Sequence, residues 1–126
     1  MKLTFPISAS PDAWAALSDP AALAASLPGC RSAVADADGL RLVVDVAVAS
    51  VRGLWAGTLT ETGEGVWRIA GSGEPGRVDL VLGVDPDHTT LTVEGTVDGP
   101  LGAIGSALLA AAVRRLTEDT LARAGR

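Results

Sequence analysis

Few side chains in this sequence could support acid–base, nucleophilic or metal chemistry. His88 is the single histidine and lies in a Pro-Asp-His-Thr turn, where a solvated side chain is the simplest interpretation. Cys30 is the single cysteine, and no histidine is predicted to pair with it and activate the thiol. Acids such as Asp45, Asp79 and Glu94 fall on strand faces that the alternation assigns to solvent. We therefore expect no catalytic residues, no metal ion and no cofactor.

The more informative pattern is the alternation of tryptophan, aliphatic residues and glycine on two neighbouring strands. The two faces carry Trp55, Gly57 and Leu59 on one strand and Trp67, Ile69 and Gly71 on the next. Large rings can line a wall while glycines leave volume in front of them, and ligand pockets are mostly apolar and concave. The pattern is typical of a cavity, but it also suits a plain core in which glycines mark bulges or bends.

A candidate ligand-binding wall follows if these faces point toward a long C-terminal helix. Its members are Trp55, Leu59, Trp67, Ile69, Leu80, Val93, Ile104, Leu108, Ala112 and Arg115. Arg115 lies one helical turn from Asp119, beside the apolar stripe of that helix. The pair could meet the polar head of a ligand at the cavity mouth, or simply mark where the helix passes the rim of the sheet.

The elements that would position this wall are, in order, one strand, two short helices, six further strands and one long helix. Alternation predicts a strand over residues 2–8. Ser10 and Pro11 favour the start of a first helix, and a second is predicted from Pro20 to about Ser26. Six more strands are predicted over residues 31–36, 40–48, 55–61, 66–72, 78–84 and 89–97. Turn residues separate these strands, among them Asp38–Gly39 and Arg52–Gly53.

The last predicted element is a helix over residues 100–124, opened by a proline. Its apolar stripe is Leu101, Ile104, Leu108, Leu109, Ala112 and Leu116. A meander of antiparallel strands needs one face covered, and this helix is the only element long enough to cover it. We expect a single α+β domain over residues 1–126 of order β-α-α-β6-α, a seven-stranded curved antiparallel sheet around the long C-terminal helix.

Charge and composition exclude several classes of partner. The net charge is −5 over 126 residues, which argues against nucleic acid, because such binding needs a clustered basic face. The most apolar stretch, residues 101–113, is shorter than the roughly 20 residues of a transmembrane helix. One cysteine permits no internal disulfide, which suits a reducing compartment, so a cytoplasmic location is expected.

Several segments together resemble the family of the carbon monoxide dehydrogenase G subunit, within the START-like, polyketide-cyclase-like (SRPBCC) superfamily. They are ASPDAWAALSDP (residues 9–20), Leu23, LPGC (27–30), VRGLWAG (51–57), TTL (89–91) and GPLGAIG (99–105). The resemblance implies a helix-grip fold that encloses an apolar tunnel. It also implies a link to molybdenum hydroxylases and to membrane recruitment or quinone handling. The chain stops at Arg126, short of the extension in longer members, so we expect at most peripheral membrane contact.

Three functions remain open from the sequence. The first is a non-catalytic binding or carrier domain for a hydrophobic or amphipathic small molecule, lipid or quinone-like, with a molybdenum-hydroxylase-type oxidoreductase as a candidate partner. The second is a polyketide cyclase or dehydratase type of enzyme, which needs polar groups pointing inward. The third is an assembly or recruitment factor for an oxidoreductase complex, which predicts an exposed apolar patch.

Overall fold

Seven β-strands form one antiparallel sheet in the computed structural model, which describes residues 1–125. They are β1 (Lys2–Pro6), β2 (Cys30–Asp36), β3 (Gly39–Val48), β4 (Val51–Gly63), β5 (Val66–Gly73), β6 (Gly76–Val84) and β7 (Thr90–Asp98). From β2 to β7 each strand pairs with the next along the chain, and β1 pairs with β7 at the far edge. The predicted fold class, a seven-stranded curved antiparallel sheet with a C-terminal helix, is confirmed.

Three α-helices complete the fold: α1 (Pro11–Ala15), α2 (Pro20–Ser26) and α3 (Ser106–Ala124). The two short helices begin as predicted, with a proline at the first position. The Ser10 hydroxyl accepts a hydrogen bond from the Ala13 amide, and the Asp19 carboxylate caps α2 in the same way. None of the helices described here is long and apolar enough to cross a membrane.

The β3–β4 connection differs from the prediction. Arg52–Gly53 does not turn the chain but lies inside β4, because the pairing of β3 with β4 continues to Val48 and Val51. The turn is made by Ala49 and Ser50, and Ala49 adopts a positive φ of 53°. The Arg52 guanidinium donates hydrogen bonds to the Ala49 and Val51 carbonyls, so it holds the tip of the hairpin.

The final helix also begins later than predicted. A single 3-10 turn, Gly102–Ile104, precedes it, and Gly105 separates the two with φ 101°. The 3-10 turn lies so close to the end of β7 that a Cβ on Gly102 would collide with the Val97 carbonyl oxygen. Helix α3 therefore starts at Ser106, one turn and a half beyond the proline that was expected to open it.

The core lies between the concave face of the sheet and the helices. Its fully buried side chains include Leu42, Leu91 and Val93 from the strands. Helix α3 is attached mainly by its second half, where Thr120 and Leu121 are buried and the helix packs against α1 and α2. In its first half Leu108 is 57% exposed, and Leu116 farther along is 42% exposed, so much of the predicted stripe is not covered by the sheet.

Candidate functional site

A cavity of about 670 Å³ lies between the concave face of the sheet and α3. Its volume is within the range of small-molecule pockets. Strands β3 to β7 and all three helices contribute to the lining, which is almost entirely aliphatic or aromatic. Within the described chain, the lining residues with charged or hydroxyl side chains all lie on α3: Arg115, Thr117, Asp119 and Thr120. The cavity is therefore apolar apart from these four side chains of α3.

Nine of the ten residues proposed from the sequence lie in this lining. They are Trp55, Leu59, Trp67, Ile69, Leu80, Val93, Leu108, Ala112 and Arg115. Ile104 is the exception: it ends the 3-10 turn before Gly105, is half-buried, and is not among the lining residues. The positive φ of Gly105 takes Ile104 off the helical spacing on which its assignment depended.

Trp55 lies across two glycines. Gly57 and Gly71 are register partners on β4 and β5, and a Cβ on either would lie 2.7 Å from Cζ2 of Trp55. Since real Cβ atoms do not approach that closely, only glycine lets the indole lie flat on the sheet. The expectation that these glycines leave open volume is thus wrong, because the ring of Trp55 takes that volume.

Trp14 and Trp67 form what we call the floor, at one end of the cavity. Their rings are stacked at 5.6 Å between centroids and 16° between planes. Trp14 was not among the proposed site residues; the signal that could have included it is its three-residue spacing from Leu17, which suits one apolar helical face. The exposed His88 ring lies 5.9 Å from that of Trp14, on the β6–β7 loop, and does not line the cavity.

The mouth lies at the other end of the sheet, between the β3–β4 hairpin and the first turns of α3. Val48 pairs with Val51 there, and β7 ends on the same side because neighbouring strands are antiparallel. Exposed lining residues concentrate here, including Ala47 and Ala49 of the hairpin and Leu108 of the helix. The cavity therefore runs from an enclosed aromatic floor to an open aliphatic mouth.

The remaining wall comes from β3, β6 and β7. It consists of apolar residues that sequence alternation places on one face of each strand but that were not proposed as site residues. Those on β3 are Leu42, Val44 and Val46, and those on the later strands include Val78, Leu82, Leu91 and Val97. The signal that could have included them is the same period of two that identified the strands.

The charged and hydroxyl-bearing side chains of the lining are either exposed or already paired. Arg115 is 86% exposed, and its Nε lies 3.9 Å from the Asp119 carboxylate, a distance typical of a weak surface pair. The Thr117 and Thr120 hydroxyls donate hydrogen bonds to the Val113 and Leu116 carbonyls of the same helix. The lining of the described chain thus brings no acid–base pair together.

The groups with a perturbed pKa lie outside the lining. Burial raises the pKa of the Cys30 thiol, whose Sγ contacts the Ser32 carbonyl. On the other face of the sheet, hydrogen bonds from Arg68 lower the pKa of Asp79. In the β6–β7 loop, hydrogen bonds from the Thr90 amide and from Thr89 lower the pKa of Asp85. Over residues 1–125, no group of three or more histidine, cysteine, aspartate or glutamate side chains could hold a metal ion.

Comparison with solved structures finds the same fold at low sequence identity. A START superfamily protein from Mycobacterium smegmatis matches with a TM-score of 0.58 and 20% identity, over 98% of this chain and 92% of that one. A hypothetical protein from Sulfolobus tokodaii matches with a TM-score of 0.54 and 17% identity, over 99% and 87%. Among proteins with curated descriptions, none is significantly similar in sequence.

A family model covers nearly the whole chain. It describes the G subunit of carbon monoxide dehydrogenase (CoxG) and matches residues 4–123, which include every strand except the first residues of β1 and nearly all of α3. The matched range contains the cavity lining from floor to mouth. The chain therefore belongs to the CoxG family, that of the carbon monoxide dehydrogenase G subunit.

Proposed function

We propose that this chain binds a hydrophobic or amphipathic small molecule, lipid or quinone-like, and acts as its holder or carrier. The observation that carries the proposal is the apolar cavity of about 670 Å³ between sheet and α3. A ligand that leaves water for this lining gains roughly 25 cal/mol per Å² of apolar surface buried. The family membership and the START-like fold both favour a binding role.

An amphipathic ligand has a natural orientation in this cavity. Its apolar body would extend toward the floor of Trp14 and Trp67, where the lining is aromatic and closed. Its polar head would lie on the solvent-exposed side of α3, near Arg115 and Asp119, whose weak mutual pairing leaves the guanidinium free to bind an anionic or acceptor group. The titratable residues of the lining stand here and not in the interior, which supports binding over cyclase-type catalysis.

Entry would be through the mouth. Helix α3 is held by its buried second half, whereas its first turns carry exposed leucine and alanine side chains. A small outward movement of those turns about the held second half, with Gly105 absorbing the change in backbone conformation, would widen the gap to the β3–β4 hairpin. Such gating needs no rearrangement of the sheet.

Filling the cavity tests the proposal. Ala112 is a half-buried lining residue on α3, and Ala112→Phe should place a ring in the ligand's volume and weaken binding at least tenfold. Tryptophan fluorescence, titrated with a fatty acid and with a short-chain quinone, reports binding through Trp55 and Trp67. Ala107→Phe is the matched control, because Ala107 lies on the same helix, is exposed and does not line the cavity.

Two outcomes would count against the proposal. One is the absence of any fluorescence response from the unaltered protein to either ligand. The other is an equal loss of affinity in both variants, which would show a general effect on α3. Native mass spectrometry of protein purified from its own host should in addition detect a retained lipophilic molecule.

A second role is to serve an oxidoreductase of the molybdenum hydroxylase type. The family's description as a subunit of an enzyme supports this role, and so do exposed apolar side chains beside the cavity. Leu108 and Leu116 are large apolar side chains exposed beside the opening, as a surface for transfer to a partner would require. We propose that docking and transfer share this face, in the cytoplasm. Leu108→Ser with Leu116→Ser should reduce co-purification of the larger enzyme by more than it weakens ligand binding, since both lining side chains are largely exposed.

A further inference from the structure

The two edge strands of the sheet differ in how well they are protected from pairing with another chain. Natural edge strands avoid such pairing with lysine or proline, among other devices, and β1 carries both Lys2 and Pro6 within five residues. β2, at the opposite edge, has neither residue type. Its charged residues are Arg31 and Asp36, and the four residues between them are Ser-Ala-Val-Ala. The edge of β2 can therefore accept a further strand.

The pairing of β2 with β3 shows which backbone groups point outward. Asp36 and Gly39 flank a two-residue turn and form a hydrogen-bonded pair, so every second residue back along β2 also bonds to β3. The intervening residues Ala33 and Ala35 turn their N–H and C=O groups away from β3, where the described sheet has no further strand. Val34, Ala35 and Asp36 are exposed, so α2, which packs against β2, leaves this end of the strand open.

The side chains of β2 are complementary to a second copy of the same strand. Val34 pairs with Arg41 on the convex face of the sheet and, at 59%, is more exposed than the other large apolar side chains described. Arg31 lies near one end of β2 and Asp36 at the other, so an antiparallel copy brings opposite charges together, whereas a parallel copy brings like charges together. Their present contacts, at 3.3 Å to Asp45 and 3.7 Å to Arg41, are weak surface pairs.

We propose that two copies of this chain associate by antiparallel pairing of β2 with β2 about a twofold axis at Val34, which joins the seven strands of each copy into one continuous sheet. Ala33 then bonds to Ala35 of the second copy, Val34 lies against Val34 of the second copy, and Arg31 lies beside Asp36 of the second copy. Both mouths stay open, because the exposed end of β2 and the β3–β4 hairpin are at opposite ends of β3. The inference does not depend on the ligand.

The concentration dependence of the molecular mass is the first test. A contact of one short strand is much smaller than the roughly 20–30 residues a side of a stable interface, so the association should reverse on dilution. Light scattering should give a mass that approaches two copies at high concentration and one copy at low concentration. Arg31→Glu places like charges together twice and should weaken association about tenfold. Arg77→Glu, the same change at an exposed position on β6, is the matched control and should have no effect.

An engineered disulfide tests the register. Cys30 is the one cysteine of the chain, so Cys30→Ser gives a background without thiols. Non-hydrogen-bonded partners on antiparallel strands have Cα atoms about 4.5 Å apart, a distance that a disulfide can span. Val34→Cys should therefore cross-link two copies under mild oxidation. Two controls should not: Val81→Cys, also exposed on the convex face but within β6, and Ser32→Cys, which would lie about 14 Å from its copy.

Two results would overturn the inference. One is a mass of one copy at every concentration together with cross-linking of Val34→Cys no faster than that of Val81→Cys, which would leave the edge of β2 to a strand from a different protein. The other is equal cross-linking of Ser32→Cys and Val34→Cys, which would contradict the twofold axis at Val34. Each variant replaces a side chain on an edge strand or an exposed surface, and the mass of the unaltered protein is measured independently of whether the variants fold.

Discussion

At the scale of single residues, the contact of Trp55 with two glycines makes a sharp prediction about stability. Gly71→Ala would place a Cβ 2.5 Å from the Gly57 Cα and against the indole, and would collide with the Ala56 carbonyl oxygen. We expect a loss of about 1–3 kcal/mol in the free energy of unfolding, as for other overpacked sites, measured by urea denaturation.

Gly83→Ala is the control for that substitution. Gly83 lies near the end of β6 in the same sheet, nothing approaches within 4 Å of the position its Cβ would take, and its φ is not positive. The alanine should be neutral or slightly stabilising there. If the two variants lost the same stability, the close packing of Trp55 on Gly71 would not be the cause.

Asp85 gives a second residue-scale prediction, one that depends on pH. Hydrogen bonds from the Thr90 amide and from Thr89 hold its pKa below the ordinary value of 3.8, so its charged form is favoured in the folded state. Its contribution to stability is present above pH 3.8 and is lost as the pH falls through the lower folded value. Asp85→Asn should therefore destabilise the protein at pH 7 and much less near pH 2.

Urea midpoints at both pH values would measure this difference. Asp87→Asn in the same loop is the control, since Asp87 is exposed and its side chain makes no hydrogen bond within residues 1–125. A destabilisation by Asp85→Asn that stayed constant down to pH 2 would mean that the carboxylate's charge is not what orders the loop.

Where a strand fixed their position, the residues proposed from the sequence lie in the cavity lining. Trp55, Leu59 and Leu80 are buried and alternate with less buried neighbours, and period two alone places them on the concave face. Trp14 and Ile104 were misjudged for a different reason. The cavity role of Trp14 depends on where α1 docks, and the position of Ile104 depends on the positive φ of Gly105, neither of which a local pattern contains.

At the scale of elements, α3 should be unevenly stable along its length. Its second half is buried against α1 and α2, while the first half carries Leu108 at 57% exposure and starts at Gly105 without a side-chain cap. We expect amides of residues 108–113 to exchange hydrogen much faster than those of residues 117–124, and bound ligand to slow the first group selectively.

Hydrogen–deuterium exchange with mass spectrometry would resolve the two halves. Amides of α2, which is short but capped by Asp19, provide an internal reference that ligand should affect less. Uniform protection of α3 with and without ligand would contradict the idea that its first turns form the gate.

Element boundaries show which signals in the sequence were sufficient. All seven strands were found. In all but β2 one face is buried and alternation is strong, whereas β2 has no buried residue and was marked by the Asp38–Gly39 turn that follows it. The error at Arg52–Gly53 arose because glycine was taken as a turn, whereas Gly53 lies within β4, close to Glu74 and Pro75 of the next hairpin. The start of α3 was misplaced because Pro100 also suits a 3-10 turn.

At the scale of the whole molecule, the sequence predicted the architecture but not the size of the interior. Helix α3 leaves a cavity of about 670 Å³ because its first half stands apart from the sheet, which is a property of its tertiary position. The low aromatic content, 3%, is consistent with this, since small side chains fill such a space poorly. Hydrophobic periodicity alone would equally have allowed a filled core.

The pairing of β1 with β7 has a consequence for how the protein is made. Phe5 lies opposite Leu91, so β1 leaves the ribosome long before the strand that covers its edge. At about 5–20 residues per second, the apolar side chains of that first strand spend several seconds unpaired in every nascent chain. The sheet can be completed only after β7 has left the ribosome, so the apolar side chains of β1 are open to a chaperone until then.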